Sequence, residues 1–198
     1  MKIGVLALQG DFAEHQTTLQ NLGVDTIQVR LPGDLDGLNG LIIPGGESTT
    51  IGKLAVAYNL MQPLQEFAKN HAIWGTCAGA IFLSKDARRK QPLLGVMNII
   101  VERNAFGRQV DSFEIDLDIP ALKSVDPHGQ PYHAVFIRAP LIQEVNEPAV
   151  VLSRLPETSA KGGGRIIAAQ QGRLLATSFH PELTDDDRFH RYFLELVK

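Results

Sequence analysis

Ile73-Trp74-Gly75-Thr76-Cys77-Ala78-Gly79-Ala80-Ile81-Phe82-Leu83 reads as a short strand, a sharp turn and the opening of a helix. At its centre, Gly75-x-Cys77-x-Gly79 is a nucleophile-elbow pattern with cysteine in the place usually held by serine. Such a turn strains its central residue and crowds the flanking backbone, so glycine is the natural neighbour on both sides. The thiol is pushed out above the sheet edge at a helix N-terminus, where unsatisfied N–H groups and the helix dipole favour the thiolate. The pattern alone leaves two readings open, a nucleophile or a small buried hydrophobe.

Around this stretch the chain alternates. Ile3-Gly4-Val5-Leu6-Ala7-Leu8 is a continuous apolar run, as a strand covered on both faces requires. Phe12, Leu19 and Leu22 follow at near-helical spacing, Gly23 is a stop, and a second strand spans 24–29. Leu41-Ile42-Ile43 breaks at Pro44-Gly45-Gly46-Glu47-Ser48-Thr49-Thr50. Ile51, Leu54, Ala55, Tyr58, Leu64 and Phe67 then keep helical spacing, with Pro63 expected to kink or divide that helix. Alternating strands and helices predict an α/β fold, an open and mostly parallel sheet with helices on both faces.

The second half has a different rhythm. Strands are predicted at 96–102, 112–117, 134–138 and 150–152 without long helices between them, which adds antiparallel pairs to the sheet. Gln171-Gly172-Arg173 separates two further apolar runs and reads as a hairpin turn. The last helix is expected to take Thr184 as N-cap, three aspartates in its first turn, and Phe189, Phe193 and Leu196 on one face. Residues 121–132 and Lys161-Gly162-Gly163-Gly164 read as loops.

Composition narrows the function classes. The chain has 198 residues, 44% hydrophobic and 21% charged, with a formal charge of −3. This length suits one domain, 1–198, able to bury about 70% of its unfolded surface. The charge gives no footprint for nucleic acid, and Arg88-Arg89-Lys90 is a short solvated run. The apolar N-terminal run is too short for a signal peptide or a membrane span. A single cysteine forms no internal disulfide, which fits a reducing compartment and makes the cytoplasm the expected location.

In an open parallel sheet, function gathers beyond the carboxyl ends of the strands. Three stretches end there. Cys77 is one. The second is Pro44-Gly45-Gly46-Glu47-Ser48, whose backbone N–H groups could face an anion. It lacks the lysine spacing of a phosphate cradle, since Lys53 falls too late, and an oxyanion hole or an ordinary turn remain. The third is Ser178-Phe179-His180-Pro181-Glu182-Leu183. A cysteine nucleophile needs a base, and an imidazole needs a partner to fix its tautomer. His180 and Glu182, two apart on an extended segment stiffened by Pro181, should project to the same side. His15, His71, His128, His133 and His190 suit solvated or structural roles better. Two potential ligands without a third nearby make no metal site.

With these stretches in hand the sequence resembles the class I, triad-type glutamine amidotransferases, and more narrowly the glutaminase subunits of pyridoxal 5'-phosphate synthases. The narrow resemblance rests on Leu8-Gln9-Gly10, the 44–50 and 75–79 blocks, the block from Val101 to Glu114 that contains Glu102-Arg103-Asn104, Val135-Phe136-Ile137-Arg138-Ala139-Pro140, and Ser178 to Thr184. Ala105 departs from the family's more frequent serine, and the loops at 121–132 and 156–164 look longer than the family pattern.

The resemblance implies a flavodoxin-like fold of the class I amidotransferase type, with Cys77 as nucleophile, His180 as acid and base, and Glu182 as orienting carboxylate. It implies L-glutamine as substrate, bordered by Gly46, Glu47, Ser48, Arg103, Ile137 and Arg138, with the N–H groups of Gly46 and Ala78 forming the oxyanion hole. The implied partner is the (β/α)8-barrel synthase subunit, and no cofactor or metal is expected on this chain. Two other classes stay in view: a cysteine hydrolase of peptidase or deglycase type on a related scaffold, and a non-catalytic binding subunit.

Overall fold

The structure, a computed structural model, describes residues 1–103, 112–160 and 163–198. The chain order is β1 (Lys2–Leu6), α1 (Phe12–Asn21), β2 (Asp25–Val29), β3 (Gly40–Ile43), α2 (Ser48–Ala57), α3 (Met61–Asn70), β4 (Ala72–Thr76), α4 (Ala78–Leu83) and β5 (Ser84–Asp86). It continues through β6 (Met97–Glu102), β7 (Ser112–Leu117), β8 (Tyr132–Ile137), β9 (Leu141–Val145), β10 (Val150–Arg154), β11 (Ile166–Gln171), β12 (Leu174–Thr177) and α5 (Arg188–Val197).

The main sheet runs β2-β1-β3-β4-β12-β11-β9-β6-β5, with β10 paired to β11. Its first five strands are mutually parallel, and β12, β11, β9 and β6 then alternate in direction. β7 and β8 form a separate antiparallel pair. The expected mostly parallel sheet with antiparallel additions is therefore present. β3, β4 and β12 are buried at every position, which is why they read as unbroken apolar runs. Successive residues feed opposite cores: Leu41 and Ile43 join Ile51, Leu64 and Phe82 on one face, while Ile42 and Trp74 join Leu19, Phe189 and Phe193 on the other. Helices cover both faces, as expected.

Several local expectations shift. The long helix is indeed divided, but at Tyr58-Asn59-Leu60, where Asn59 takes φ 58°. Pro63 lies in the first turn of α3, where a missing N–H costs no helical bond. α5 begins at Arg188 after Asp187, so the three aspartates precede the helix and Thr184 does not cap it; the Thr184 hydroxyl instead accepts the Asp186 N–H at 3.3 Å. Val197 rather than Leu196 completes the buried face with Phe189 and Phe193. The hairpin closes as expected, with Gln171 opposite Leu174. β5 and β9 were not anticipated. Residues 104–111 of the family block, including Ala105, and Lys161-Gly162 of the glycine loop lie outside the described residues. Among the described residues no helix is long and apolar enough to cross a membrane.

Candidate active site

The site is built by the register of two neighbouring parallel strands. Thr76, the last residue of β4, pairs with Thr177, the last of β12. Cys77 is the next residue after one, and His180 lies three beyond the other. The Cys77 N–H donates to the Thr177 carbonyl at 2.8 Å, which ties the two strand ends together. Sequence distance between thiol and imidazole is thus removed by one rung of the sheet.

Cys77 adopts φ 48° and ψ −104°, in the left-handed half of backbone space that a side chain rarely tolerates, a strain of about 1–3 kcal/mol held by the surrounding fold. α4 starts at the following residue. A Cβ on Gly79 would stand 2.0 Å from the Ile43 carbonyl oxygen, so the elbow closes against β3 only with glycine there. The cysteine is 7% exposed and borders a cavity of about 440 Å³. Gly46, Glu47, Ser48, Ala78, Arg103, Ile137, Arg138 and His180 line the same cavity. All the residues expected around a substrate therefore converge on one space, while Glu182 stands behind His180.

His180 is 5% exposed and anchored by its N–H to the Val135 carbonyl at 2.8 Å. Its Nδ1 is 2.7 Å from Glu182 Oε1. With Nδ1 engaged by Glu182, Nε2 is left for the cysteine side, where Cys77 lines the same cavity. Burial alone would depress the imidazole, but the hydrogen bonds and charges of Cys77 and Glu182 outweigh it and raise its pKa to about 10. The His180–Glu182 segment is not extended: Pro181–Leu183 forms a 3-10 turn, which folds the carboxylate under the ring. A Cβ on Gly45 would meet His180 Cε1 at 2.6 Å, so the glycine loop packs directly on the imidazole.

The glycine loop also organises an ion pair. Glu47 caps α2, accepting from the Thr49 N–H at 3.2 Å and the Thr49 hydroxyl at 2.8 Å. Its two oxygens receive Arg103 in a bidentate pair, both contacts at 2.7 Å. Partial burial works against the Glu47 charge, but the bonds from Thr49 and Arg103 prevail and hold its pKa below the usual carboxylate value. The Glu47 N–H in turn donates to Gln9 Oε1 at 2.6 Å. Arg138 takes φ 43° at the cavity and makes no ion pair among the described residues.

Gln9 and Asp11, which follow β1, also line the cavity, though the sequence assigned them no place there: Gln9 stood out only within the Leu8-Gln9-Gly10 block, and for Asp11 the only signal was that an apolar strand ended in a polar turn. Asp11 Oδ2 lies 3.7 Å from His180 Nδ1. Burial raises its pKa, with His180 acting in the opposite sense. Asp11, His180 and Glu182 place donor atoms within 4.8 Å of one another, the third ligand that spacing alone did not supply. His180 Nδ1 is committed to Glu182 Oε1, however, and a nitrogen donating its proton there has no lone pair for a metal.

The remaining histidines divide sharply. His133 is exposed between Asp116 and Glu114, and His71 stacks on Phe67. His15 and His190 are fully buried, edge-on to Trp74, and His15 reaches Glu182.

A family model described as SNO glutamine amidotransferase family matches residues 5–198. A curated protein of Herpetosiphon aurantiacus, "Pyridoxal 5'-phosphate synthase subunit PdxT", is 56% identical over 201 residues, covering 99% of this chain and all of that protein. Its namesake from Moorella thermoacetica is 51% identical over 199 residues, with 100% of both chains covered. A solved structure described as "Crystal structure of glutamine amidotransferase" is 49% identical, covers 98% of each chain and superposes with a TM-score of 0.88.

Proposed function

Because this chain belongs to the SNO glutamine amidotransferase family, we propose that it is the glutaminase subunit of a pyridoxal 5'-phosphate synthase, hydrolysing L-glutamine to L-glutamate and ammonia. Residues 1–198 act as one glutaminase domain. The observation that supports the residue assignment is the placement of Cys77 and His180 on one cavity wall, with Glu182 bonded to the imidazole from behind at 2.7 Å.

Cys77 is the nucleophile and attacks the side-chain amide carbon of glutamine. The N–H groups of Gly46 and Ala78 face the oxyanion that develops. His180, held charged at rest, gives its proton to the amide nitrogen as the C–N bond breaks, and ammonia leaves. The glutamyl group remains as a thioester on Cys77. Water then adds to that carbonyl while the now neutral His180 takes its proton, and glutamate departs as the C–S bond breaks, returning Cys77 and the recharged His180 to their starting forms. Glu182 holds the ring by Nδ1 and steadies its charged form throughout.

The substrate's own charges have matching partners. Glu47, ionised and fixed by Arg103, faces the α-ammonium; Arg138, free of other ion pairs among the described residues, faces the α-carboxylate. Ser48 and Ile137 complete the walls. Arg103 is the brace of Glu47 in this arrangement.

Free ammonia at neutral pH is mostly ammonium, a poor nucleophile, so the activity serves a partner that consumes the product at once. That partner is the (β/α)8-barrel synthase subunit, which uses the ammonia to build pyridoxal 5'-phosphate; the cofactor is the partner's product and has no role on this chain. Neither nucleic acid nor membrane enters the reaction. The cytoplasm, reducing enough to keep Cys77 a thiol, is the location this chemistry calls for. The test is glutamate release from L-glutamine by purified chain, alone and with the synthase subunit. A rise on mixing that Cys77→Ala abolishes is expected; parent-rate release by Cys77→Ala would overturn the assignment.

A further inference from the structure

Behind the carboxylate that orients His180 lies a second, wholly buried polar chain. Glu182 Oε1 is bonded to His180, but Oε2 has no hydrogen bond of good geometry among the described residues, and the atom beside it is His15 Nε2 at 3.3 Å. His15 Nε2 is also 3.3 Å from Thr76 Oγ1, and His15 Nδ1 is 3.0 Å from His190 Nε2. His190 Nδ1 has no partner among the described residues. Neither histidine is exposed.

The protons in this chain can be assigned by elimination. If His15 carried its proton on Nδ1, it would donate to His190 Nε2, and His190 would bury a bare N–H on Nδ1. The lone pair of His15 Nε2 would at the same time face a carboxylate oxygen. Both are unfavourable, and a buried donor without an acceptor costs about 1–3 kcal/mol. In the opposite arrangement His190 Nε2–H donates to His15 Nδ1, and His15 Nε2–H points toward Thr76 and Glu182. Only a lone pair is left unpartnered, on His190 Nδ1, the cheaper deficit.

We propose that His15, oriented by His190, is a positioning residue of the catalytic series: its Nε2–H, bonded to Thr76 Oγ1 and 3.3 Å from the second oxygen of Glu182, steadies that carboxylate electrostatically against His180. The proposal rests on the glutaminase reading above. A neutral donor suits this role, because it supports the carboxylate without cancelling the charge that His180 needs. Burial first, then the electrostatic proximity of His190 and His180, keep His15 far below the ordinary histidine value. The titratable groups facing Glu182 are His180, His15, Asp11 and Tyr132, and those facing His15 are His190, His180 and Glu182.

Two polar substitutions separate positioning from mere packing. His15→Gln retains a donor at the reach of Nε2 and an acceptor for His190, whereas His15→Asn keeps a group opposite His190 but falls short of Glu182. Kinetics of glutamine hydrolysis with the synthase subunit present should show kcat within about threefold of the parent for Gln and about 10–100-fold lower for Asn, with KM unchanged within about twofold. For Asn the acid limb of the kcat profile should move to higher pH, because Glu182 has lost a donor to its ionised form. Alkylation of Cys77 by iodoacetamide as a function of pH, which needs no substrate, should show the same displacement. Equal losses in both variants, or an unmoved acid limb in a folded Asn variant, would overturn the proposal. A parent enzyme that released no glutamate would instead sink the glutaminase reading and leave the alkylation profile to decide on His15.

Discussion

His180 and His190 are both shut away from solvent, yet one is held as an imidazolium and the other as a neutral ring. His180 has Glu182 on one side and Cys77 on the other, and these raise its pKa to about 10 against the pull of burial. Among the described residues His190 meets another neutral imidazole and aromatic walls, and burial lowers it to about 3. Burial acts in the same direction on both; partners decide the outcome. The front of Glu182 is therefore a charged, reactive compartment and the back a neutral, supporting one.

The largest way to break this contrast is at the thiol. Cys77→Ala removes both the nucleophile and one of the two groups that hold His180 charged, and glutamine hydrolysis should fall by about 10⁶-fold, to background. Next comes Glu182→Gln, which preserves shape but not charge. Its turnover should drop by about 10²–10⁴-fold, measured as kcat with the synthase subunit, because the imidazolium loses its counter-charge.

Stability against pH reads the two compartments separately. His190 has a lowered folded pKa, so the unfolded chain binds the extra proton first, and the stability associated with a neutral ring is lost as pH falls from about 6.5 toward 3. Within each protein, the fall in Tm from pH 6.5 to pH 4 should be about 5 °C smaller for His190→Phe than for the parent. His180 has a raised folded pKa, so its contribution is complete below about 6.5 and disappears as pH rises toward 10. His180→Asn should flatten that alkaline loss in the same melting series. The smallest effect is expected at Asp11, half exposed and 3.7 Å from His180 Nδ1. Asp11→Asn should change kcat by less than about threefold, since solvent screens a charge at that position.

Much of this was legible in the chain because the decisive signals were local. Leu41-Ile42-Ile43 and Ile73-Trp74-Gly75 announce themselves as central strands because both faces are covered. Cys77 and the His180-Pro181-Glu182 group stand out because a turn and a short motif each bring their own residues into place. β9 escaped notice because Gln143 and Glu144, exposed although the strand lies between β11 and β6, interrupt its apolar character, and β5 is only three residues long. The start of α5 was misplaced because an aspartate run suits a first helical turn as well as the turn before it. Asp11, His15 and His190 were missed as site residues for a different reason: nothing near them in sequence reveals which strand end they will face. The Glu47–Arg103 pair was likewise hidden, since each alone reads as a substrate contact or a surface charge.

The rung between Thr76 and Thr177 has a consequence for how activity arises during synthesis. Cys77 leaves the ribosome long before His180 and Glu182, and β12 must pair with β4 before the three can meet. A nascent chain carries a dormant sulfur until its last quarter is laid down, so glutamine in the cell is spared from half-finished copies of the enzyme.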